Sequence, residues 1–244
     1  MAGHSKWSNI KRRKEAQDKK RGKIFTKISK EIFAAVRNGG DDPSTNNRLR
    51  MAINKAKASN MPNDNIERTI KKATGDAGAV QYEEVIYEGY APHGVAVYVH
   101  ALTENRNRTA AEVRHAFNKH GGNLGEDGCV SFMFQRVGLL TMELTENDSF
   151  DEEAFMLEAI DAGADDVETE NEFVFIHTAP EHFEEVKQGL EGQGYQFTTA
   201  EVTMVPDTNI PVSDEQAEEI EELLDVLEDN DDVQNVYHNL QTSA

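Results

Sequence analysis

The residues best suited to chemistry at the start of this 244-residue sequence are cations. Lys6, Lys11, Arg12, Arg13, Lys14, Lys19, Lys20 and Arg21 crowd into its first stretch. Each Lys or Arg that neutralises a phosphate releases condensed counterions, so many together give a strong, salt-dependent grip on a polyanion. Trp7 stands beside Lys6 and offers a face on which an unpaired base can stack. An isolated basic run is ordinarily a solvated surface, and Trp7 would then pack on neighbouring helices. Residues 1–40, however, hold 12 Lys/Arg against 3 Asp/Glu in an otherwise acidic chain, which favours nucleic acid. Phosphate contacts position a protein without reading sequence, so base specificity does not follow from this segment.

Three further groups suit the same ligand. Lys23, Lys27, Lys30 and Arg37 fall in a narrow sector of an amphipathic helix, opposite Phe25, Ile28, Ile32, Ala35 and Val36. A second helix carries Asn46, Asn47, Arg48, Arg50, Asn54 and Lys55. Asn and Arg can read base edges in a major groove, although ordinary surface polarity explains them as well. No dimerisation element for paired half-sites is visible. The stretch Asn105-Arg106-Asn107-Arg108 follows a strand and precedes a helix that Thr109 can cap. Its N–H groups, Arg106 and Arg108 suit a phosphate, and they suit an acidic neighbouring domain equally.

Other chemistries find little footing. Cys129 lies in an apolar run, where a thiol is usually a small buried hydrophobe. His115 and His120 are five apart and do not share a helix face as a zinc pair should. The Gly121–Gly128 loop lacks the Lys-Ser/Thr of a phosphate-binding loop, and its Glu126 and Asp127 would repel phosphate, so a turn is expected. The sequence therefore predicts no enzyme, cofactor or metal.

The whole-chain charge of −20 conceals a division. Residues 1–72 contain 19 Lys/Arg and 7 Asp/Glu, whereas residues 73–244 contain 6 and 38. A polyanion-binding segment joined to units that repel polyanions is expected. The acidic half reads either as charge for solubility or as a docking face for a basic partner such as a ribosomal protein. No run approaches the roughly 20 apolar residues of a membrane span, and the basic start lacks the apolar stretch of a secretory signal. A single cysteine, with these absences, suggests the cytoplasm.

The elements that position these residues can be read from periodicity. Residues 1–21 have little apolar face and are expected to form a mobile arm or a helix ordered by a partner. Helices are expected over 22–40, from Ser44 or Thr45 to Asn60, and over 64–74, making a small bundle. Strands follow at 82–90 and 94–103, a helix at 108–120, and a strand at 129–134. Residues 137–205 show a β-α-β-β-α-β succession, the pattern of a ferredoxin-like unit. An acidic helix at 214–228 and a strand at 233–240 then lack a sheet of their own. The expected fold is α/β of the α+β kind. A basic helical domain with its arm (1–76) precedes a discontinuous middle domain (77–135 plus 207–244), into which a ferredoxin-like domain (136–206) is inserted.

Several strings are similar to one known family. AGHSKWSNIKRRKEAQDKKRGKIFTK (2–27), NGGDDPSTNNRLR (38–50), NMPNDNIERTIKKATG (60–75), EGYAPHGVAV (88–97) and LTENRNRTAAEVR (102–114) resemble, in order, the YebC/PmpR family. Glu104 stands where that family usually has Asp, and Cys129 where it often has Ser. The resemblance implies a three-domain α/β protein, usually described as a probable DNA-binding transcriptional regulator. Mitochondrial relatives, such as the activator for cytochrome c oxidase I, act in translation. Bacterial relatives are linked to ribosomes stalled on proline-rich sequences. The resemblance thus implies DNA or ribosomal RNA as partner, with no membrane.

Overall fold

The computed structural model describes residues 21–75, 80–144, 150–170 and 172–242, with side chains from Lys23 onward. Lys6, Trp7, Lys11, Arg12, Arg13, Lys14, Lys19, Lys20 and the Arg21 side chain lie outside the described residues. The chain is an α+β protein in which three helices precede mixed α/β sheets.

Helices α1 (Arg21–Gly39), α2 (Asn47–Ala58) and α3 (Asn63–Thr74) share one core. The α1 stripe of Ile28, Ile32, Ala35 and Val36 is buried with Leu49, Ala52 and Ala56 of α2 and with Ile66 and Ala73 of α3. Full burial of such a Leu or Ile contributes roughly 1.5–3 kcal/mol before entropy is counted. Helix α2 starts later than Ser44 or Thr45 because Asn46 is its cap. The Asn46 side-chain oxygen accepts from Leu49 N–H at 3.1 Å, and its nitrogen donates to Ala35 O at 2.8 Å and Gly40 O at 2.7 Å. One buried amide so serves the end of α1 and the start of α2.

The first sheet has the order β3-β1-β2-β9, from β1 (Glu83–Tyr90), β2 (Ala96–Thr103), β3 (Asn123–Leu124) and β9 (Val233–His238). Its pairs are antiparallel, with Val99 opposite Val236 although the chain makes a whole further sheet between them. Helices α4 (Arg106–Lys119) and α7 (Asp214–Asp229) bury Val113, Ala116 and Phe117, and Ile220, Leu223, Leu224 and Leu227. The cap of α4 is Asn105, whose side chain accepts from Arg108 N–H at 3.1 Å, so Thr109 is inside the helix and not its cap.

The second sheet has the order β5-β6-β4-β7, antiparallel throughout. Its elements run β4 (Phe134–Glu143), α5 (Glu152–Asp161), β5 (Asp166–Glu170), β6 (Phe173–Thr178), α6 (Phe183–Gly192) and β7 (Thr199–Pro206). This is the split βαβ arrangement, with Phe155 and Ala159 of α5 and Val186 and Leu190 of α6 buried against Leu140, Val174 and Ile176. A ribbon of β8 (Ile210–Val212) and β10 (Leu240–Thr242) was not foreseen. Among the described residues, 21–131 with 212–238 form one compact unit, and 132–211 with 239–242 form another.

The expected strand at 129–134 is absent. Residues Ser131–Met133 form a single 3-10 turn, β4 begins only at Phe134, and Phe132 is left 71% exposed. The cause is Glu88. Its buried carboxylate accepts N–H bonds from Gly128 at 2.5 Å, Val130 at 3.1 Å and Ser131 at 2.5 Å, diverting those donors from any strand neighbour.

Candidate nucleic-acid interface

Three cations of the α1 sector, Lys23, Lys27 and Lys30, are engaged by the chain itself, while Arg37 is exposed. Lys23 Nζ donates to Asp229 O at 2.9 Å and pairs with the Asp229 carboxylate at 2.9 Å. Lys27 Nζ donates to Glu228 O at 2.7 Å, and Lys30 Nζ to Asp231 O at 2.8 Å. The last carbonyls of a helix lack intrahelical partners and carry the negative end of its dipole. Helix α7 has no basic residue in its own last turn; Lys23 and Lys27 of α1 supply ammonium groups there, and Lys30 meets the carbonyl of Asp231 just beyond the helix. Gln234 of β9 adds to the seam: with its amide turned to suit both neighbours, it donates to Glu31 Oε1 at 3.1 Å and Lys27 O at 3.2 Å. Arg37 reaches back to Ala73 O at 3.5 Å.

Asp232 is the hub of this seam. Its carboxylate meets Lys30 Nζ at 2.8 Å, Arg108 at 2.7 Å and Thr109 Oγ1 at 2.9 Å. Burial pushes the Asp232 carboxyl up, but the hydrogen bonds from Lys30, Arg108 and Thr109 outweigh it and hold the group below its ordinary value. Of the two readings open for Asn105–Arg108, Arg108 therefore takes the ion pair with the chain's own acidic part. Arg106 lies 3.7 Å from Glu83 in an exposed pair.

Exposed cations are grouped on α2 and α3. Arg48 bonds Glu84, and Lys55 pairs with Glu31 at 2.7 Å, both on the flank of α2 nearest the first sheet. Asn46 is buried in its capping role and cannot reach a base. Asn47, Arg50, Asn54 and Lys57 share the sector opposite Leu49 and Ala56, and all four are exposed. Arg50 is steadied by Asn47 Oδ1 at 2.7 Å. On α3, Arg68, Lys71 and Lys72 are exposed on the side away from Ile66 and Ala73. Lys57, Arg68, Lys71 and Lys72 have no ion-pair partner among the described residues. Sequence reasoning did not single these four out. Their signal was helical phase, since each stands away from the apolar stripe of its own helix.

The glycine-rich loop before residue 131 binds an anion, but the anion is the protein's own Glu88. Burial raises the Glu88 carboxyl, and the N–H donors of Gly128, Val130 and Ser131 more than offset that, holding it below its ordinary value. Burial, with the nearby Glu88 charge, pushes the Cys129 thiol up, which keeps it from acting as a ready nucleophile. Among the described residues, no group of three His, Cys, Asp or Glu side chains is placed to hold a metal, and no helix is long and apolar enough to cross a membrane.

Comparison with known proteins matches this architecture along the chain. Residues 5–76 match the TACO1/YebC protein N-terminal domain, and residues 82–240 match the TACO1/YebC second and third domain. The chain belongs to the TACO1/YebC family. A TACO1/YebC relative from Bacillus licheniformis is 59% identical over 240 residues, covering 98% of this chain and 100% of the relative. One from Geobacillus thermodenitrificans is 57% identical over 244 residues, covering 100% and 98%. Both are named probable transcriptional regulatory protein. The crystal structure of a conserved hypothetical protein from Aquifex aeolicus is similar with a TM-score of 0.78 and 48% identity, over 92% of this chain and 91% of that one.

Proposed function

We propose that this chain is a nucleic-acid-binding regulator of gene expression, acting as a DNA-binding transcriptional regulator. One observation carries the reading. Arg50, Lys57, Arg68, Lys71 and Lys72 are exposed on two adjacent helices, in a region where residues 1–72 hold 19 Lys/Arg against 7 Asp/Glu. The remaining residues hold 6 against 38 and repel phosphate, which confines the contact to the helical part and the arm before it. Lys6, Trp7, Lys11, Arg12, Arg13, Lys14, Lys19, Lys20 and Arg21 contribute further contacts to the same ligand in this proposal. Lys23, Lys27, Lys30 and Arg108 instead hold the helices to α7 and Asp232. The names of the TACO1/YebC relatives agree with a regulatory and non-catalytic role.

A ribosome-associated translation factor is the second reading. It is favoured by the phosphate-type character of the exposed set, which structured RNA satisfies as well as duplex DNA. Crosslinking in cells followed by sequencing of both DNA and RNA separates the two. Recovery of DNA at defined positions supports the transcriptional reading. Recovery of ribosomal RNA alone replaces it with the translational one. If substituting Lys57, Arg68, Lys71 and Lys72 by Gln, with the arm cations likewise neutralised, left nucleic-acid binding unchanged, a protein-interaction adaptor would replace both.

A further inference from the structure

We propose that the outward face of α5 is a docking surface for a basic amphipathic helix of a partner protein. Helix α5 is apolar around much of its circumference, yet only one side is covered. Inward, Phe155 is 1% exposed and Ala159 0%. Outward, Met156 is 37%, Leu157 66% and Ile160 52% exposed. Ile160 stands four residues after Met156 and three after Leu157, so the three side chains share one strip along the helix. A helix at the surface of a globular unit ordinarily turns polar residues to water on that side. A clustered apolar strip rimmed by charge marks an interaction site instead.

Charge selects the occupant. Asp151, Glu152, Glu153 and Asp161 border the strip and are exposed, and α5 carries no basic residue. Asp161 stands in the last turn, where the helix dipole is already negative, so a cation brought there relieves an unfavourable charge. Residues 132–211 as a whole contain 2 Lys/Arg and 19 Asp/Glu. Such a field rejects nucleic acid and anionic lipid. It also opposes a two-fold contact with a second copy, which would set the same carboxylates against each other. A helix with an apolar stripe and Lys or Arg along its margins satisfies both the strip and its rim. The inference is independent of nucleic-acid binding, because it concerns the acidic part of the chain.

The test uses the full chain and a synthetic helical peptide of roughly 18 residues, Leu on one face and Lys elsewhere. A second peptide has the same composition in an order without a helical stripe. The striped peptide should bind about tenfold tighter than its isomer, a difference near 1.4 kcal/mol. Its amide shift changes should centre on residues 152–161. Leu157→Ser with Ile160→Ser should abolish that preference without moving Tm, since both side chains are exposed. Glu153→Lys with Asp161→Lys leaves the strip intact and should weaken the striped peptide. Equal binding of the two peptides, full binding by the serine variant, or shifts centred elsewhere would overturn the proposal. So would a dimer of the protein alone that dissociates in the serine variant, which would assign the strip to a second copy.

Discussion

Lys30 and Asp232 meet at 2.8 Å with side chains only 15% and 6% exposed, although they stand at opposite ends of the sequence. The same carboxylate takes Arg108 and Thr109, so a single anion ties α1, the first turn of α4 and the loop before β9. Removing it leaves two cations facing a neutral group in a half-dry seam. Asp232→Asn should lower unfolding stability by about 2 kcal/mol, less than a fully buried pair would lose because Arg108 can rehydrate. The Asp232 carboxyl is held low in the folded state. The folded protein therefore binds that proton more weakly than the unfolded chain, where the carboxyl titrates near ~3.9. Its contribution is complete above that value and is lost as pH falls through the lower, folded one. Urea unfolding from neutral to acid pH should show the gap between wild type and variant closing. A gap that stays constant to strongly acid pH would show that the Asp232 charge adds no stability.

Glu88 makes a second prediction through Cys129. A glutamine at position 88 keeps one acceptor oxygen but turns an NH2 toward a backbone N–H that now donates to carboxylate. The loss should be about 1–3 kcal/mol, the usual cost of leaving a buried donor unmet. Hydrogen exchange at Gly128, Val130 and Ser131 should accelerate ahead of the first sheet. Burial first and the Glu88 charge second raise the Cys129 thiol, and the variant removes that second push. The pH profile of thiol alkylation should move to lower pH in Glu88→Gln. An unmoved profile with unchanged exchange would mean that the carboxylate does not organise the loop.

These two carboxylates also mark where the sequence stops being legible. The stripe Ile28, Ile32, Ala35 and Val36 announces α1 by period alone, and the alternation after residue 137 announces the β-α-β-β-α-β order. Both signals are local. The lysines opposite that stripe were equally clear as a shared face, but a helical wheel cannot name what covers it. The end of α7, some two hundred positions away, does so. Asn46 looked like a surface amide because a capping role inside a seam is set by tertiary approach. The run at 129–134 looked like a strand because its residues suit one, until Glu88 claims its donors. The exposed cations of α2 and α3 were present in the sequence but outweighed by the denser arm.

Gly89 tests how closely β1 and β3 approach. A Cβ there would lie 2.6 Å from Asn123 O and 2.9 Å from Phe117 Cε1, and the first of these is backbone. Gly89→Ala should therefore destabilise by about 1–3 kcal/mol, as overpacking in a tight core does. Gly192, the last residue of α6, has nothing within 4 Å of its Cβ position. Gly192→Ala should be neutral or gain up to about 1 kcal/mol from helix propensity and a less flexible unfolded chain. Thermal or urea unfolding distinguishes the pair. Equal effects from both would mean that the β1–β3 approach yields easily.

The proposed interface makes a quantitative claim about salt. Each phosphate contact contributes about −0.9 to the slope of log affinity against log salt on duplex DNA, and about −0.7 on single strands. Lys71→Gln with Lys72→Gln removes two exposed cations that have no ion-pair partner among the described residues. The slope should become shallower by about 1.8 on duplex DNA or about 1.4 on single-stranded RNA, with Tm nearly unchanged. Lys23→Gln with Lys30→Gln should behave in the opposite way. Those two groups satisfy Asp229, Asp231 and Asp232, so their loss should lower Tm and leave the slope close to wild type. A steep loss of slope in the Lys23/Lys30 variant at unchanged Tm would move the phosphate contacts onto α1. It would also mean that the end of α7 gives way to nucleic acid when it binds.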